Sequence, residues 1–230
     1  MQIQTLHLIE GAAQARGLTV VIDVFRAFSL ECYLYSFGAK EIWPVGSVDT
    51  ARELKAQYPN AVLIGERGGK MCEGFDFGNS PSTVSPDHIR GKTVIHTTSA
   101  GTQGIVNAQN ADEIVTGSLV NAKAIAGYIR QKNPDQVSLV CMGNSGVRPA
   151  KEDELCAQYL HSLLIGAPLA DIEARAKALE FDGGDHFFDP DRQQIYPKAD
   201  FFHCIEIDKF DFVLRVENEN GRMISRKITL

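Results

Sequence analysis

A glycine-rich segment directly follows a short apolar run in the first half of the chain. The run is Ala61-Val62-Leu63-Ile64, and the segment reads Gly65-Glu66-Arg67-Gly68-Gly69-Lys70-Met71-Cys72-Glu73-Gly74-Phe75-Asp76-Phe77-Gly78-Asn79-Ser80-Pro81-Ser82. The run predicts a buried strand. The glycines allow the backbone after it to adopt positive φ and to approach a ligand closely. An ordinary surface loop is the alternative, but loops of this length are usually functional or disordered, and the segment's two phenylalanines argue against disorder.

Short β-branched runs alternate with helical segments through about residue 165. Runs over residues 18–22, 93–96 and 137–141 each open into polar residues and then into a helical segment. This alternation predicts an α/β fold with three α/β/α layers and a mixed, partly parallel sheet. No Pro/Ser-rich linker divides the chain, so we expect one structural unit over residues 1–230. Asn220-Gly221 predicts a β-hairpin near the C-terminus.

Four further segments have weaker signals. We expect an edge strand over residues 2–9, a polar turn over 11–17 and a helix over 168–181. Residues 198–207 fit a helix or a strand.

Composition restricts the classes of function. The chain has 230 residues, is 44% hydrophobic and carries a net charge of −6 with no basic run, which disfavours nucleic-acid binding. No apolar stretch approaches membrane-spanning length, and the N-terminus shows no signal peptide. The five cysteines are odd in number and form no C-x-x-C pair, which is typical of free thiols in a reducing cytoplasm. We therefore expect a cytoplasmic protein.

The polar residues that follow the buried strands are candidates for a ligand site. In open α/β sheets ligands bind at the carboxyl ends of strands, and the following helix N-termini suit a phosphate. Asp23 follows the first run and is either a helix cap or a metal ligand or nucleophile. Arg26 lies at the same strand end as Asp23, and the other two ends contribute Thr97, Ser99 and Thr102, and then Asn144 and Ser145.

Several of these segments together resemble the 2-phosphosulfolactate phosphatase (ComB) family. The resemblance lies in the glycine-rich segment and in four other stretches: Val21-Ile22-Asp23-Val24-Phe25-Arg26-Ala27, Thr97-Thr98-Ser99-Ala100-Gly101-Thr102, Asp153-Glu154-Leu155-Cys156-Ala157 and Ile207-Asp208-Lys209-Phe210-Asp211-Phe212-Val213. It covers nearly the whole chain. It implies a Mg²⁺-dependent acid phosphatase with a ComB-like three-layer fold. This fold could be built from two similar halves.

The resemblance and the chemistry of the residues lead to a set of site assignments. We expect catalytic roles for Asp23, Arg26, Glu66 and Arg67, and Mg²⁺ ligands in Asp23, Glu66 and Asp153. For substrate binding we expect Gly68, Gly69, Lys70, Asn79, Thr97, Ser99, Thr102 and Asn144. The identity of the nucleophile is left undecided among Asp23, a cysteine, of which Cys72 is the first candidate, and a metal-activated water.

The expected reaction is hydrolysis of 2-phospho-3-sulfolactate to 3-sulfolactate and phosphate, a step of coenzyme M biosynthesis, as the resemblance implies. Two alternatives remain: a phosphatase for another phosphorylated hydroxy acid, and a non-catalytic phosphate-ester or nucleotide-binding module. The expected ligand is a small anionic phosphate ester. We expect binding to neither nucleic acid nor a membrane, and a homodimer is possible.

Overall fold

The computed structural model describes residues 1–230 and contains ten strands and nine α-helices. The strands are β1 (Gln2–His7), β2 (Gly17–Ile22), β3 (Glu41–Pro44), β4 (Val62–Arg67), β5 (Lys70–Met71), β6 (Thr93–Thr97), β7 (Ala111–Gly117), β8 (Gln136–Cys141), β9 (Phe212–Glu219) and β10 (Arg222–Thr229). The helices are α1 (Leu8–Gln14), α2 (Ala27–Ser36), α3 (Val48–Gln57), α4 (Pro86–Ile89), α5 (Gly101–Asn107), α6 (Ala122–Lys132), α7 (Lys151–Leu164), α8 (Ile172–Ala178) and α9 (Lys198–Cys204).

All ten strands form one mixed sheet in the order β1-β8-β2-β7-β9-β10-β3-β6-β4-β5. It contains two parallel blocks. The first block is β1, β8, β2 and β7, and the second is β3, β6 and β4. The C-terminal hairpin β9–β10 joins them through three successive antiparallel pairs. The strands of the second block therefore run opposite to those of the first.

Helices cover both faces of each block and complete the three-layer α/β/α fold. In β2, Val20 and Ile22 pack in one core with α6 and α7, whereas Val21 faces a second core with α1 and α5. The second block repeats this arrangement: Ile42 packs with α2, and Trp43 packs with α3. Strands covered on both faces carry continuous apolar runs, which explains their sequence signal.

Helix α2 connects the two parallel blocks. It begins after β2 of the first block, yet Leu30 and Leu34 pack against the strands of the second. The loops after β2 and β8 and those after β4 and β6 border the same cavity, although the blocks run in opposite directions. The sheet therefore cannot be flat between the blocks, consistent with the twist of large sheets.

The weaker sequence signals led to mixed results. The edge strand β1 is confirmed but ends at His7, and the turn predicted over residues 11–17 is wrong, because α1 begins at Leu8. Leu8 has φ 65°, which turns the chain into that helix immediately after the strand. The helix predicted over 168–181 is shorter, and residues 198–204 are helical.

The C-terminal hairpin prediction is confirmed, because Asn220 and Gly221 both have positive φ between β9 and β10. The two parallel blocks differ in strand number, so similarity of two halves stays a prediction. None of the helices has the length and apolar character needed to cross a membrane.

A buried ion pair ties the C-terminal segment to the rest of the fold. Arg26 Nη1 lies 2.9 Å from Asp200 Oδ2, and the two side chains are 4% and 0% exposed. Arg26 also donates to the carbonyls of Ile195 and Gly69. The second Asp200 oxygen accepts hydrogen bonds from Ser82 and from the Ser80 hydroxyl. This pair therefore fixes α9, the glycine-rich segment and the start of α2 relative to one another.

We predict that Asp200→Asn destabilises the protein strongly. The amide would leave the Arg26 guanidinium buried without a counter-charge, and breaking such a pair costs about 3–5 kcal/mol. Urea denaturation at pH 7 measures the loss. Asp171→Asn is the matched control, because its partner Arg175 and Asp171 itself are about half exposed, and exposed pairs contribute little to stability. Equal losses in the two variants would contradict the assigned role of Asp200.

Candidate active site

A cavity of about 630 Å³ lies where the two blocks meet. Its walls come from the loops after β2, β4, β6 and β8, from the first turn of α7, and from residues 183–196. Only 4 of its 23 lining residues are hydrophobic, so the cavity suits a polar or charged ligand.

Asp23 lies at the centre of this arrangement, directly after β2. Its Oδ1 accepts a hydrogen bond from the Ala27 amide at 3.3 Å in the first turn of α2. A Cβ on Gly101 would lie 2.9 Å from Asp23 Oδ2, so the glycine permits this close approach. Burial, reinforced by the nearby Glu66 charge, raises the pKa of Asp23 to about 6. Asp23 is thus a rigidly held carboxyl group whose charge is poorly compensated.

Glu66, near the end of β4, is held by donors from two different loops. Its Oε1 accepts from the Ser99 amide and its Oε2 from the Gly69 amide, both at 2.6 Å. The Ser99 hydroxyl also contacts Oε2 at 3.2 Å. Glu66 therefore joins the glycine-rich segment to the loop after β6 while it lines the cavity.

Asp153 and Glu152 bring two more carboxyl groups from the first turn of α7. Asp153 accepts the amides of Val24 at 2.9 Å and of Gly143 at 2.7 Å, and so links the loops after β2 and β8. Burial, followed by the charges of Glu152 and Asp23, raises the Asp153 pKa above its usual range. Burial and the Asp23 charge raise the pKa of Glu152 to about 7.

These four buried carboxyl groups share one property: none lies within 4.0 Å of a nitrogen atom of Lys, Arg or His. Buried charges are normally paired or bound to a metal. Hard carboxylate oxygens are the ligands that Mg²⁺ prefers. No three of the four groups have oxygen atoms within 4.8 Å of one another, so the donor chemistry fits a divalent cation held by one or two carboxylates and by water.

The cavity lining also contains cationic residues, here called the cationic wall, of which Lys151 pairs with Asp182. The wall consists of Arg148, Lys151 and Arg192, which are exposed. Tyr196 lies between two guanidinium groups, with its ring centroid 4.6 Å from Arg192 Cζ and 5.0 Å from Arg26 Cζ. The same cavity can thus bind a ligand with several negative charges.

His186 lines the cavity and has a lowered pKa, which favours its neutral form. Burial, together with the positive charges of Arg192 and Arg26, lowers its pKa to about 4 despite the opposing effect of Asp185. This low pKa argues against a role for His186 as a proton donor.

Most of the residues selected from the sequence line the cavity, and four do not. Those that line it are Asp23, Arg26, Glu66, Gly68, Gly69, Asn79, Ser99, Asn144 and Asp153. Arg67 instead turns away and donates to the Glu66 and Gly46 carbonyls and to Thr97 Oγ1. Thr102 is buried against Thr98, and Lys70 is exposed on the short strand β5. Arg67, Lys70, Thr97 and Thr102 thus lie outside the cavity lining, and a substrate role for them requires a rearrangement.

Five cavity residues were missed by sequence reasoning: Arg148, Lys151, Glu152, Arg192 and Tyr196. Glu152 looked like an ordinary acidic residue in the first turn of a helix, where the helix dipole alone explains it. The sequence signal for the three cationic residues was the presence of arginine and lysine in the polar segments on both sides of α7 and α8.

The cysteines and a separate ligand cluster lie apart from this chemistry. All five cysteines are buried and free, and none lines the cavity. Three potential metal ligands converge elsewhere, where the atoms of His7, Cys141 and Glu154 lie within 4.8 Å of one another. There His7 already pairs with Glu154 at 2.9 Å, and burial raises the pKa of the Cys141 thiol far above its usual range. We assign no metal to that cluster.

Comparison with known proteins identifies the family. Residues 3–186 match the family model described as 2-phosphosulpholactate phosphatase. The chain belongs to this family. A relative from Caldanaerobacter subterraneus subsp. tengcongensis is 32% identical over 86% of this chain and 87% of its own length. Relatives from Bacillus subtilis (32% identical, 88% of each chain) and Prochlorococcus marinus (31%, 93% of this chain and 95% of its own) are similar. All three are named probable 2-phosphosulfolactate phosphatase.

Family membership makes the protein a phosphoric monoester hydrolase, and the cavity is its candidate active site. The family match ends at residue 186, before Arg192, Tyr196 and Asp200. The segment beyond the match therefore supplies part of the cationic wall and the partner of Arg26.

We predict that Asp23→Asn stabilises the metal-free protein above pH 6. The raised Asp23 pKa means that the folded state binds more protons than the unfolded state between pH 3.8 and about 6, so wild-type stability falls as pH rises through this window. Above it the ionised Asp23 costs on the order of 3 kcal/mol, which the neutral amide avoids. Urea denaturation in EDTA at several pH values measures the difference between the two proteins.

The difference should be small at pH 4, grow up to pH 6 and then level off. Asp49→Asn is the control, because Asp49 is 89% exposed and should give no such pH-dependent difference. An Asp23→Asn variant that is less stable than wild type at pH 8 would show that the carboxylate is compensated.

Proposed function

We propose that the protein is a Mg²⁺-dependent phosphatase that hydrolyses 2-phospho-3-sulfolactate to 3-sulfolactate and phosphate. One observation carries the proposal: a single cavity is lined both by four buried carboxyl groups without an ion-pair partner and by Arg148, Lys151 and Arg192. The names of the relatives support the substrate. The proposal includes the place of this reaction in coenzyme M biosynthesis and a cytoplasmic location, for which the five free thiols argue.

The cationic wall fits the charge of this substrate. Its phosphate, carboxylate and sulfonate groups place several negative charges on a three-carbon skeleton, and each needs a donor in a cavity that also holds carboxylates. Arg148 and Arg192 supply planar guanidinium groups that bind such oxyanions with two parallel hydrogen bonds. Lys151 adds charge at the start of α7, where the helix dipole also favours an anion.

The carboxyl wall fits Mg²⁺. The residues that would hold it are among Asp23, Glu66 and Asp153. Mg²⁺ in proteins is usually bound by one or two carboxylates and keeps several water ligands. Once bound, Mg²⁺ would neutralise the phosphoryl oxygens and polarise the phosphorus. Glu66 and Asp153 keep free lone pairs for this role, since each carboxylate offers about four acceptor positions.

The protein's own groups have distinct tasks at the reacting centre. The Ala27 amide holds Asp23 in place, so that it faces the phosphoryl group either as nucleophile or as the residue that orients a water molecule. Glu152, with a pKa of about 7, retains a proton near neutrality and is our candidate to protonate the leaving oxygen. Arg26 keeps three of its N–H bonds on protein acceptors, so its main task is to position the glycine-rich segment.

A phosphatase for another phosphorylated hydroxy acid is the second candidate. The exposed cationic wall would accept any compact ester with a second anionic group. A non-catalytic phosphate-ester or nucleotide-binding module is less well supported, because binding an anion alone does not require four buried carboxyl groups beside it. A homodimer remains a prediction.

Phosphate release tests the proposal. We expect turnover of 2-phospho-3-sulfolactate with Mg²⁺, none in EDTA, and lower kcat/KM for 2-phospholactate, which lacks the sulfonate. Arg192→Gln should raise KM about 10- to 100-fold, the scale of one charge-assisted hydrogen bond. Arg175→Gln, on α8 outside the cavity, should leave both parameters unchanged.

Different failures have different meanings. Equal turnover of the two substrates would reject the sulfonate specificity but keep the phosphatase. Full activity in excess EDTA would reject the metal. No phosphate release from either ester or from phenyl phosphate, with Mg²⁺ present, would favour the binding module instead.

A further inference from the structure

A chain of buried polar side chains leads from the protein core to the cavity. Glu31 on α2 and His96 on β6 are both 0% exposed, and Asn79 lies at the cavity wall. His96 Nδ1 is 2.9 Å from Glu31 Oε1, and His96 Nε2 is 3.2 Å from Asn79 Oδ1. The proposed reaction uses neither Glu31 nor His96. An ionisable pair buried this deeply is expensive to keep, so it calls for an explanation.

The hydrogen-bond partners indicate the protonation state of His96. The Glu31 carboxylate accepts from His96 Nδ1 and, through Oε2, from the Ser225 hydroxyl at 3.1 Å. No Lys or Arg lies within 4.0 Å of Glu31, so an ionised Glu31 has the His96 imidazolium as its counter-charge; if Glu31 instead keeps its proton and donates to Nδ1, Nε2 still carries the ring proton. With both ring nitrogens protonated, Nε2 donates to the carbonyl oxygen of the Asn79 amide.

This contact determines which end of Asn79 faces the cavity. The Asn79 Nδ2 group donates to no acceptor in the protein and is not a buried unsatisfied atom, so it is open to a ligand. A neutral His96 with an unprotonated Nε2 would instead attract Nδ2 and turn the carbonyl oxygen toward the cavity. A carbonyl oxygen there would repel an anion, whereas an NH₂ group donates to one.

We propose that Glu31 and His96 are positioning residues for Asn79, and that they hold its amide so that Nδ2 donates a hydrogen bond to an anionic oxygen of the bound substrate. The inference rests on the proposed anionic substrate and adds the residues that orient one of its donors. The same imidazolium acts favourably on Asp23, because its charge counteracts part of the rise in the Asp23 pKa. The buried pair in the second block thus influences two cavity residues, Asn79 and Asp23.

The protonation of His96 can be measured without substrate. In ¹⁵N-histidine-labelled protein at pH 7, we expect both ring nitrogens of His96 to carry protons, and Glu31→Gln to remove one of them. A wild-type His96 with an unprotonated Nε2 would overturn the proposal. This measurement needs no variant, so it decides the matter even if Glu31→Gln fails to fold.

Binding of inorganic phosphate as an inhibitor tests the consequence. Asn79→Ala and Glu31→Gln should each raise its inhibition constant about 10- to 100-fold, the scale of one hydrogen bond to a charged group. The double variant should be no worse than either single variant, because both remove the same contact. Ser225→Ala is the matched control: it removes the other hydrogen bond to Glu31 but no charge, and should bind phosphate as wild type does.

Additive effects in the double variant, or wild-type binding in Glu31→Gln, would contradict the positioning role. Failure of the proposed function looks different. In that case wild-type protein would neither bind phosphate nor release it, while His96 would still carry both protons.

Discussion

The structure depends on a constraint of charge: four carboxyl groups are buried around one cavity without a cationic partner. Burial of such groups is unfavourable, and the raised pKa values of Asp23, Glu152 and Asp153 express this cost. Natural proteins keep such an arrangement where a bound cation or a reaction needs it. We therefore interpret these four carboxyl groups as part of the proposed active site, which the rest of the fold holds in place.

Hydrogen bonds from backbone amides and one ion pair fix the positions of the carboxyl groups and of the loops around the cavity. Glu66 and Asp153 each accept amides from two different loops, so each carboxyl group also fixes the loops that surround it. The Arg26–Asp200 pair adds the segment beyond the family match. The C-terminal hairpin joins the two parallel blocks into one sheet. Loss of any of these would move a cavity wall, which couples stability to function in this region.

Sequence reasoning predicted the fold class, the hairpin and most of the carboxyl wall, because buried strands that end in polar residues leave a local signal. It expected the strand ends to meet because parallel strands share an edge. They do meet, but the two blocks run in opposite directions, and only the long-range pairing of β9 with β7 and of β10 with β3 explains this. The positions of Arg67 and Arg192 depend on such tertiary contacts too, so spacing along the chain could not distinguish the arginine outside the cavity from the one that lines it.

The cavity's two walls are expected to bind different partners, a divalent cation on the carboxyl wall and an oxyanion on the cationic wall. Anomalous diffraction from crystals grown with Mn²⁺ and vanadate tests this most directly, because both sites are located in one experiment. We predict a manganese peak beside Asp23 and Glu66, with vanadate between it and Arg148 or Arg192. Manganese at His7 and Glu154 with an empty cavity, or vanadate bound outside the cavity, would contradict this assignment.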